Sequence, residues 1–258
     1  MNQYILEVDQ LTKAFGGLVA LNNLDLKIEA GRITAIIGPN GAGKTTLFNV
    51  ITGVYTPTKG RVLFQDRSLA DTTPVERVGL GIARTFQQVL LFREMTVLEN
   101  IMSARHLRTR SGFLGSGLRL FGAVREEENI LLDSDRFLNL VEQGRQAHQL
   151  AGEIPLGQQK LVAIGRALAT EPKLLLLDEP GAGLNTMEKR GLGDLIKRIR
   201  EMGITVVLVE HDMELVMGTA ERVIVLDYGE KIAEGTPGEI QRNKRVIAAY
   251  LGEEGAGL

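Results

Sequence analysis

The sequence predicts an α/β fold with a mostly parallel sheet core, an antiparallel β subdomain at the N-terminus and an inserted α-helical lobe. Residues 174–177 and 204–209 are uninterrupted apolar runs, which are typical of parallel strands buried on both faces. Predicted helices alternate with these strands, as in a sheet that is covered by helices. Residues 24–28 instead alternate apolar and polar side chains, which indicates a sheet with one face in water.

A single domain is expected over residues 1–258. The predicted α/β core comprises residues 1–87 and 154–258. Residues 88–153 lack strand signals and are predicted to form the inserted helical lobe, which continues into a helix at about 154–170.

The lobe contains a basic stretch, residues 102–125, with five arginines, four glycines and no acidic residue. We expect a mobile loop there, and two roles stay open: a solvated loop, or a contact with a docking partner or a lipid headgroup. Residues 126–143 follow with the apolar spacing of a helix.

The composition is that of a soluble globular chain, with 44% hydrophobic and 24% charged residues. The net charge of -2 gives no general attraction for nucleic acid, so we expect no nucleic-acid partner. The absence of cysteine excludes disulfides and thiolate metal sites. The N-terminus lacks the features of a signal peptide, and no apolar run approaches the ~20 residues that span a bilayer.

Turn and cap residues separate the elements of the N-terminal half. Asn22, Asn23, Ala30 and Gly31 are predicted turn residues. The four residues at 73–76, Thr-Pro-Val-Glu, have the spacing of a capping box with proline at the first helical position, so a short helix is predicted to begin there. The predicted strands of this half are residues 4–8, 24–28, 33–37, 61–64 and 81–87.

Helices and strands alternate again from residue 158. The predicted elements are a helix that ends near 171–172, a strand at 173–177, a helix at 187–202, a strand at 204–209, a hairpin at 222–232 and a closing helix up to 251.

Residues 38–45, Gly-Pro-Asn-Gly-Ala-Gly-Lys-Thr, match the GxxxxGKT pattern of a phosphate-binding loop between a strand and a helix. Its glycines let backbone amides converge on an anion, and the positive end of the following helix points to the same place. Lys44 adds a charge for the outer phosphates, and Thr45 offers a hydroxyl to magnesium. The sequence therefore predicts a nucleoside triphosphate site with Mg²⁺. The three glycines are Gly38, Gly41 and Gly43.

Two carboxylates end the apolar strand at 173–177, where α/β sheets bind their ligands. We assign Asp178 to the metal and Glu179 to polarising the attacking water, because successive strand residues point to opposite sides. His211 follows the next strand, where an imidazole can bridge the terminal phosphate and the catalytic water.

These motifs together resemble the nucleotide-binding subunit of ATP-binding cassette (ABC) transporters, and the resemblance covers nearly the whole chain. It implies a P-loop NTPase fold of the ABC type and the cofactors ATP and Mg²⁺. The matching motif residues are Phe15 for adenine stacking, Gln87 of the Q-loop, the signature region Ile154, Pro155, Leu156, Gly157 and Gln158, the D-loop Ala182, Gly183, Leu184 and Asn185, and the switch residue His211.

The resemblance also implies the role of each site residue. Nucleotide binding falls to Phe15, Gly38, Pro39, Asn40, Gly41, Ala42, Gly43, Lys44, Thr45 and Thr46. Metal binding falls to Thr45, Gln87 and Asp178, and catalysis to Glu179, His211 and Gln87. The signature residues Pro155, Leu156, Gly157 and Gln158 would contact the nucleotide of a partner subunit.

Two positions depart from the family pattern. The usual signature reads LSGGQ, and here Pro155 replaces its serine and Leu156 the first glycine, so a hydroxyl is lost. Proline is accepted at the start of a helix, and the amides of residues 156–158 can still face an anion, so we predict a working but altered clamp. Asn185 replaces the usual D-loop aspartate, which suggests a changed link to the partner's phosphate loop.

Within the family the chain resembles the ATPases of high-affinity branched-chain amino acid importers. The resemblance implies a second ABC ATPase subunit, a paralogue or a second copy, integral membrane permeases that dock on the helical lobe, and indirectly a substrate-binding protein. It places the chain at the cytoplasmic face of the inner membrane, as a peripheral subunit. The stretches that carry it are residues 15–21, 81–87, 95–100, 179–185, 210–217 and 249–252.

Other functions stay open at this point. The same ATPase would serve a system for another cargo, such as urea, other amides or a lipid, because the ATPase does not touch the cargo. A soluble ABC protein without a transport role is disfavoured by the single phosphate loop and the lack of heptads. A GTPase is disfavoured because residues 243–246, Asn-Lys-Arg-Val, lack the aspartate of the Asn-Lys-x-Asp motif that recognises guanine.

Overall fold

The computed structural model describes residues 3–105, 131 and 133–254. Its strands are β1 (Tyr4–Phe15), β2 (Leu18–Glu29), β3 (Ile33–Ile37), β4 (Lys59–Phe64), β5 (Arg67–Ser68), β6 (Ile82–Arg84), β7 (Leu174–Asp178), β8 (Thr205–Val209), β9 (Arg222–Asp227) and β10 (Glu230–Gly235). Its helices are α1 (Lys44–Ile51), α2 (Pro74–Leu80), α3 (Val97–Arg105), α4 (133–140), α5 (Leu156–Leu168), α6 (Thr186–Glu201), α7 (Met213–Thr219), α8 (Pro237–Gln241) and α9 (Lys244–Glu254).

The strands form two sheets. A four-stranded antiparallel sheet has the order β2-β1-β4-β5, and a six-stranded sheet has the order β10-β9-β3-β8-β7-β6. In the larger sheet β9, β3, β8, β7 and β6 are parallel, and only the edge strand β10 is antiparallel. The predicted α/β class, with a mostly parallel core and an N-terminal antiparallel subdomain, is confirmed. Helices α3 and α4 lie in the described part of the predicted lobe.

Both faces of the parallel sheet are buried, as the apolar runs predict. Along β7, Leu175 and Leu177 enter one apolar core with α3, α5 and α6, while Leu174 and Leu176 enter a second core with α1 and the antiparallel sheet. All four side chains are fully buried. This alternation follows from the two-residue period of a strand, and it anchors the sheet between two layers.

The order of the parallel strands brings the predicted site residues to one edge. The carboxyl ends of β3, β8, β7 and β6 are neighbours in the sheet. They lead into the phosphate loop, His211, Glu179 and Gln87, respectively. This is the edge where open α/β sheets bind their ligands.

Several predicted boundaries are confirmed. Helix α2 begins at Pro74, and its capping box is complete: the Thr73 amide donates to Glu76 Oε2 at 2.7 Å, and the Glu76 amide donates to Thr73 Oγ1 at 3.3 Å. The tail forms the predicted hairpin, with β9 and β10 antiparallel. The closing segment contains two helices, α8 and α9, rather than one.

The predicted turn at Asn22 and Asn23 is wrong, because both residues lie inside the long strand β2. Asn23 has φ 45°, and between the pairs Leu11↔Leu24 and Lys13↔Leu21 the strand β2 gains one residue over β1. The asparagines therefore form a bulge, which a short polar residue with positive φ allows.

Two other predicted spans are too long. The strand at 81–87 ends at Arg84, and the chain then leaves the sheet towards the site. The predicted loop at 102–125 is wrong for its first residues, because α3 continues through Arg105, which forms ion pairs with Asp133 and Glu171. Residues 106–130, with the rest of that loop and the start of the predicted helix at 126–143, lie outside the described residues.

Among the described residues, none of the helices combines the length and the apolar character that crossing a membrane requires.

Candidate functional site

The phosphate loop has two positions where only glycine fits. Gly38 has φ 149°, and a Cβ there would lie 2.0 Å from the carbonyl oxygen of Leu226. Gly43 has φ 98°, and its Cβ would lie 2.6 Å from the carbonyl oxygen of Ala20. Side chains at these positions would clash with the backbone behind the loop, so the glycines let the loop curl tightly.

Lys44 holds the loop in this shape. Its ammonium donates to the carbonyl oxygens of Gly38 at 2.5 Å and Pro39 at 2.7 Å, and the side chain is buried. Helix α1 begins at Lys44 without an acidic residue in its first turn, so its positive end is not neutralised there. Thr45 is exposed and Thr46 half-buried in that same turn. The arrangement suits a bound phosphate chain.

The predicted adenine-stacking residue, Phe15, ends β1 and is 41% exposed. Tyr55 supports it from the turn after α1, with the two rings edge to face and their centroids 5.1 Å apart. The Lys13 ammonium lies 4.8 Å from the Phe15 ring centroid and donates to the carbonyl oxygen of Thr56 at 2.9 Å. Tyr55 and Lys13 could not be predicted from the sequence, because no local pattern links them to Phe15.

Asp178, the predicted metal ligand, is buried and forms an ion pair with Arg84 across two neighbouring strands. Arg84 Nη2 donates to Asp178 Oδ2 at 2.7 Å, and each side chain is 5% exposed. Arg84 also donates to Asn49 Oδ1 on α1 at 2.6 Å and packs over the ring of Phe86. This role of Arg84 could not be predicted from the sequence. It connects the predicted metal ligand to the helix that follows the phosphate loop.

Substitution of Arg84 by methionine should destabilise the fold strongly, because it leaves the Asp178 carboxylate buried without its partner. Breaking a buried pair from one side costs about 3–5 kcal/mol. Denaturant unfolding of the purified chain measures the loss. Arg61→Met is the matched control, since Arg61 pairs with Asp9 on an exposed surface and such pairs contribute about 1 kcal/mol or less. Equal losses in the two variants would contradict the assignment.

Of the three residues predicted to be catalytic, Glu179 contacts both of the others. Glu179 Oε1 lies 2.7 Å from His211 Nε2, and Glu179 Oε2 accepts a hydrogen bond from Gln87 Nε2 at 2.7 Å. The Glu179 side chain is 17% exposed and the His211 side chain 41% exposed, so solvent reaches the group. Three different segments, after β6, β7 and β8, supply these side chains. A carboxylate held in this way can accept a proton from water or orient it.

The side chains predicted for Mg²⁺ fit a hard cation. Thr45, Gln87 and Asp178 all carry oxygen atoms, which Mg²⁺ prefers, and it is commonly bound by one or two carboxylates together with substrate phosphates. Gln87 uses its Nε2 for Glu179, so its carbonyl oxygen is the atom suited to a cation. Asp178 supplies one buried carboxylate at the end of β7.

The signature residues form the start of α5. Pro155 is the N-cap, with φ −54° and ψ 151°, and the helix begins at Leu156. The amides of Leu156, Gly157 and Gln158 therefore lie in the first turn, where they have no partner within the helix and can face an anion. Leu156 is 51% exposed.

Asn185 of the D-loop has a local contact. Its side-chain oxygen accepts the Glu188 amide at 3.0 Å, and its own amide donates to Glu188 Oε2 at 2.9 Å, so it caps α6. Asparagine and aspartate are both strong N-caps, which explains why either residue suits this position. Of the other D-loop residues, Ala182 and Gly183 are exposed and Leu184 is buried.

The parallel sheet, the phosphate loop and the Glu179–His211–Gln87 group define a phosphate-loop ATPase class of protein. The chain belongs to the ABC transporter family, because a family profile described as "ABC transporter" matches residues 21–182. A second profile, "Branched-chain amino acid ATP-binding cassette transporter", matches residues 230–256.

Relatives of known description span the whole chain. It is 43% identical to the high-affinity branched-chain amino acid transport ATP-binding protein LivG of Escherichia coli (strain K12), over 98% of this chain and 100% of the relative. It is 41% identical to the protein BraF of Pseudomonas aeruginosa, which has the same description, over 98% of this chain and 100% of the relative.

Solved structures of ATP-binding cassettes share the fold. The ADP conformation of MJ1267, an ATP-binding cassette of an ABC transporter, superposes with a TM-score of 0.85 at 32% identity, over 97% of this chain and 100% of that one. A dimeric post-hydrolysis state of the cassette MJ0796, bound to ADP and Pi, gives a TM-score of 0.76 at 30% identity, over 90% of this chain and 98% of that one.

Proposed function

We propose that this chain is the ATP-hydrolysing subunit of an ABC importer and energises the uptake of branched-chain or related hydrophobic amino acids. The observation that carries the catalytic part is the contact of Glu179 with both His211 and Gln87, at the edge of the sheet that holds the phosphate loop. The relatives' descriptions support the transport part.

ATP binding follows from the phosphate loop and the aromatic platform. Residues 38–46 enclose the phosphates with backbone amides, the Lys44 ammonium and the positive end of α1. Phe15 offers its exposed ring to adenine, and Tyr55 keeps the ring in place. Mg²⁺ supplies charge neutralisation at the outer phosphates when it is bound, held by Thr45, Gln87 and Asp178.

Hydrolysis follows from the carboxylate of Glu179. Glu179 orients a water for in-line attack and takes up its proton, while His211 and Gln87 each fix one carboxylate oxygen. His211 also offers an imidazole near the terminal phosphate. The group is preorganised by three strand ends, so little reorientation is needed in the transition state.

A second ATPase subunit would complete the site. Helix α5 starts at an exposed place, at Pro155 and Leu156, so its first-turn amides suit a nucleotide held by a partner. The dimeric state of a related cassette supports a pair of subunits. We propose a paralogous partner, as the resemblance to the importer ATPases implies, with a homodimer as the other arrangement.

Permease subunits would dock on the helical lobe, and the chain would thus work as a peripheral subunit at the cytoplasmic face of the membrane. Leu90 and Phe92, which follow Gln87 closely in sequence, are each 53% exposed. Exposed apolar side chains at this place favour a protein partner. Gln87 can then report the state of the nucleotide to the permease. A substrate-binding protein would deliver the cargo from the other side.

Co-purification from native membranes, followed by reconstitution, tests the proposal. We expect permease subunits and a second ATPase to co-purify with the chain, and the proteoliposomes to take up leucine, isoleucine and valine in an ATP-dependent way. Urea is the comparison cargo. ATP-dependent uptake of urea alone would overturn the proposed cargo but not the proposed ATPase activity. A complex without ATPase activity would overturn both proposals.

A further inference from the structure

The loop that follows β7, residues 179–182, is held by a buried lysine from the signature helix. Lys160 on α5 donates to the carbonyl oxygens of Glu179 at 3.2 Å, Pro180 at 3.1 Å and Ala182. The lysine is 8% exposed. Its three donors thus serve three carbonyl groups of one short loop, which is the full capacity of an ammonium group.

A buried glutamate also holds this loop. Glu210, 3% exposed at the end of β8, accepts the Gly181 amide on Oε1 at 2.5 Å and the His211 amide on Oε2 at 3.1 Å. A Cβ at Gly181 would lie 2.8 Å from Glu210 Oε1, so glycine permits this close approach. The carboxylate connects the loop that carries Glu179 to the residue that contacts Glu179.

The loop relies on these two charges because it has left the sheet. Glu179 has φ 47°, a left-handed conformation that costs a residue other than glycine about 1 kcal/mol or more and persists only where its surroundings enforce it. Burial lowers the pKa of Lys160 from its ordinary value, while Glu210 and Glu179 act to raise it. Burial thus disfavours the charge of Lys160, and its hydrogen bonds to the three carbonyl groups offset part of that cost.

We propose that Lys160 and Glu210 are positioning residues, which hold residues 179–182 so that the Glu179 carboxylate meets His211 and Gln87. The proposal rests on the hydrolytic role proposed above for Glu179. Lys160 lies two residues after Gln158, so the same helix that presents the signature amides also holds the backbone of this chain's own Glu179. Lys160 therefore links the signature helix directly to the backbone of Glu179.

Lys160→Met and Glu210→Gln test the proposal in the full chain within its co-purified complex. We expect kcat for ATP, counted per nucleotide-binding site, to fall about tenfold or more in each variant, because a small misplacement of a catalytic group has effects of this order. The KM for ATP should stay within about twofold, since the hydrogen bonds of both residues go to residues 179–182 and 211–212. The double variant should be no slower than the slower single variant, as both changes release one loop.

Lys197→Met is the matched control, because Lys197 lies on the exposed face of α6. It should leave kcat and KM unchanged. If Lys160→Met does not fold, Glu210→Gln decides by the same criteria. The variants of Lys160 and Glu210 could instead keep kcat within twofold of the control and only unfold more easily. That result would overturn the positioning role and show that the two residues only stabilise the fold.

Hydrogen exchange supplies a readout that does not depend on activity. In both variants we expect the amides of Glu179, Gly181 and Ala182 to exchange about tenfold faster, which corresponds to about 1.4 kcal/mol, while those of α1 keep their rate. Unchanged exchange in this loop in both variants would overturn the proposal, whatever their kcat. A wild-type complex that does not hydrolyse ATP would instead refute the hydrolytic role of Glu179. Hydrogen exchange would still decide whether Lys160 and Glu210 hold residues 179–182.

Discussion

The Glu179→Gln variant is expected to bind ATP as tightly as the wild-type chain and to lose nearly all turnover. The substitution keeps the size of the side chain and its ability to bond to Gln87 and His211, but it removes the basic oxygen that takes a proton from water. General base catalysis contributes about 10²–10⁴-fold, so kcat should fall by that factor. Nucleotide titration and steady-state hydrolysis on the same preparation measure the two effects.

Glu201→Gln is the control for this experiment, since Glu201 is exposed at the end of α6 and lies outside the site. Its kcat should match the wild type. Retained hydrolysis in Glu179→Gln would remove Glu179 from the proposed role, and a parallel loss of ATP binding would show that the carboxylate is needed to shape the site rather than for the reaction.

Lys44→Met is expected to weaken ATP binding itself. The ammonium donates hydrogen bonds to the carbonyl groups of Gly38 and Pro39, and it supplies a positive charge for the bound phosphates. Hydrogen bonds to charged groups contribute about 1.5–3 kcal/mol each, so the loss of one corresponds to a roughly ten- to hundredfold increase in the Kd for ATP. Hydrolysis at saturating ATP should fall as well, because the outer phosphates lose a fixed charge in the transition state.

Lys27→Met is the matched control, because Lys27 lies on the edge strand β2 and pairs there with Glu7. Isothermal titration with ATP should give a Kd within about twofold of the wild type for this control. An unchanged Kd in Lys44→Met, with the fold intact by circular dichroism, would contradict the assignment of the phosphate loop.

Much of the site could be predicted from the sequence because its chemistry lies at strand ends. The strand at 174–178 is apolar throughout until Asp178, and the strand at 205–209 is followed by Glu210 and His211. A polar residue at the end of a buried strand is conspicuous in a sequence, and parallel topology brings such ends together. The contact of Glu179 with His211 follows from these two facts.

The contacts that hold the site could not be predicted, because each joins residues far apart in the chain. Arg84 and Asp178 are paired across 94 positions, and the Gly181 amide reaches Glu210 across 29. Lys160 sits on a helix where a lysine usually faces solvent, and only the packing of α5 against the loop after β7 reveals its three carbonyl partners. Local patterns carry no information on such pairs.

The extent of β2 shows the same limit on a smaller scale. Two adjacent asparagines are a strong turn signal, and the bulge that absorbs them depends on the partner strand β1. Tertiary pairing thus overrides a local preference.

If ATP hydrolysis by this chain drives amino acid uptake, the initial rate of leucine uptake into ATP-loaded proteoliposomes depends on Glu179. Complexes that carry the wild-type chain or Glu179→Gln are compared at equal protein content. We expect uptake with the wild type, and a rate at the level of ATP-free vesicles with the variant. Equal ATP-dependent uptake by the two complexes would show that ATP hydrolysis at Glu179 does not drive amino acid uptake.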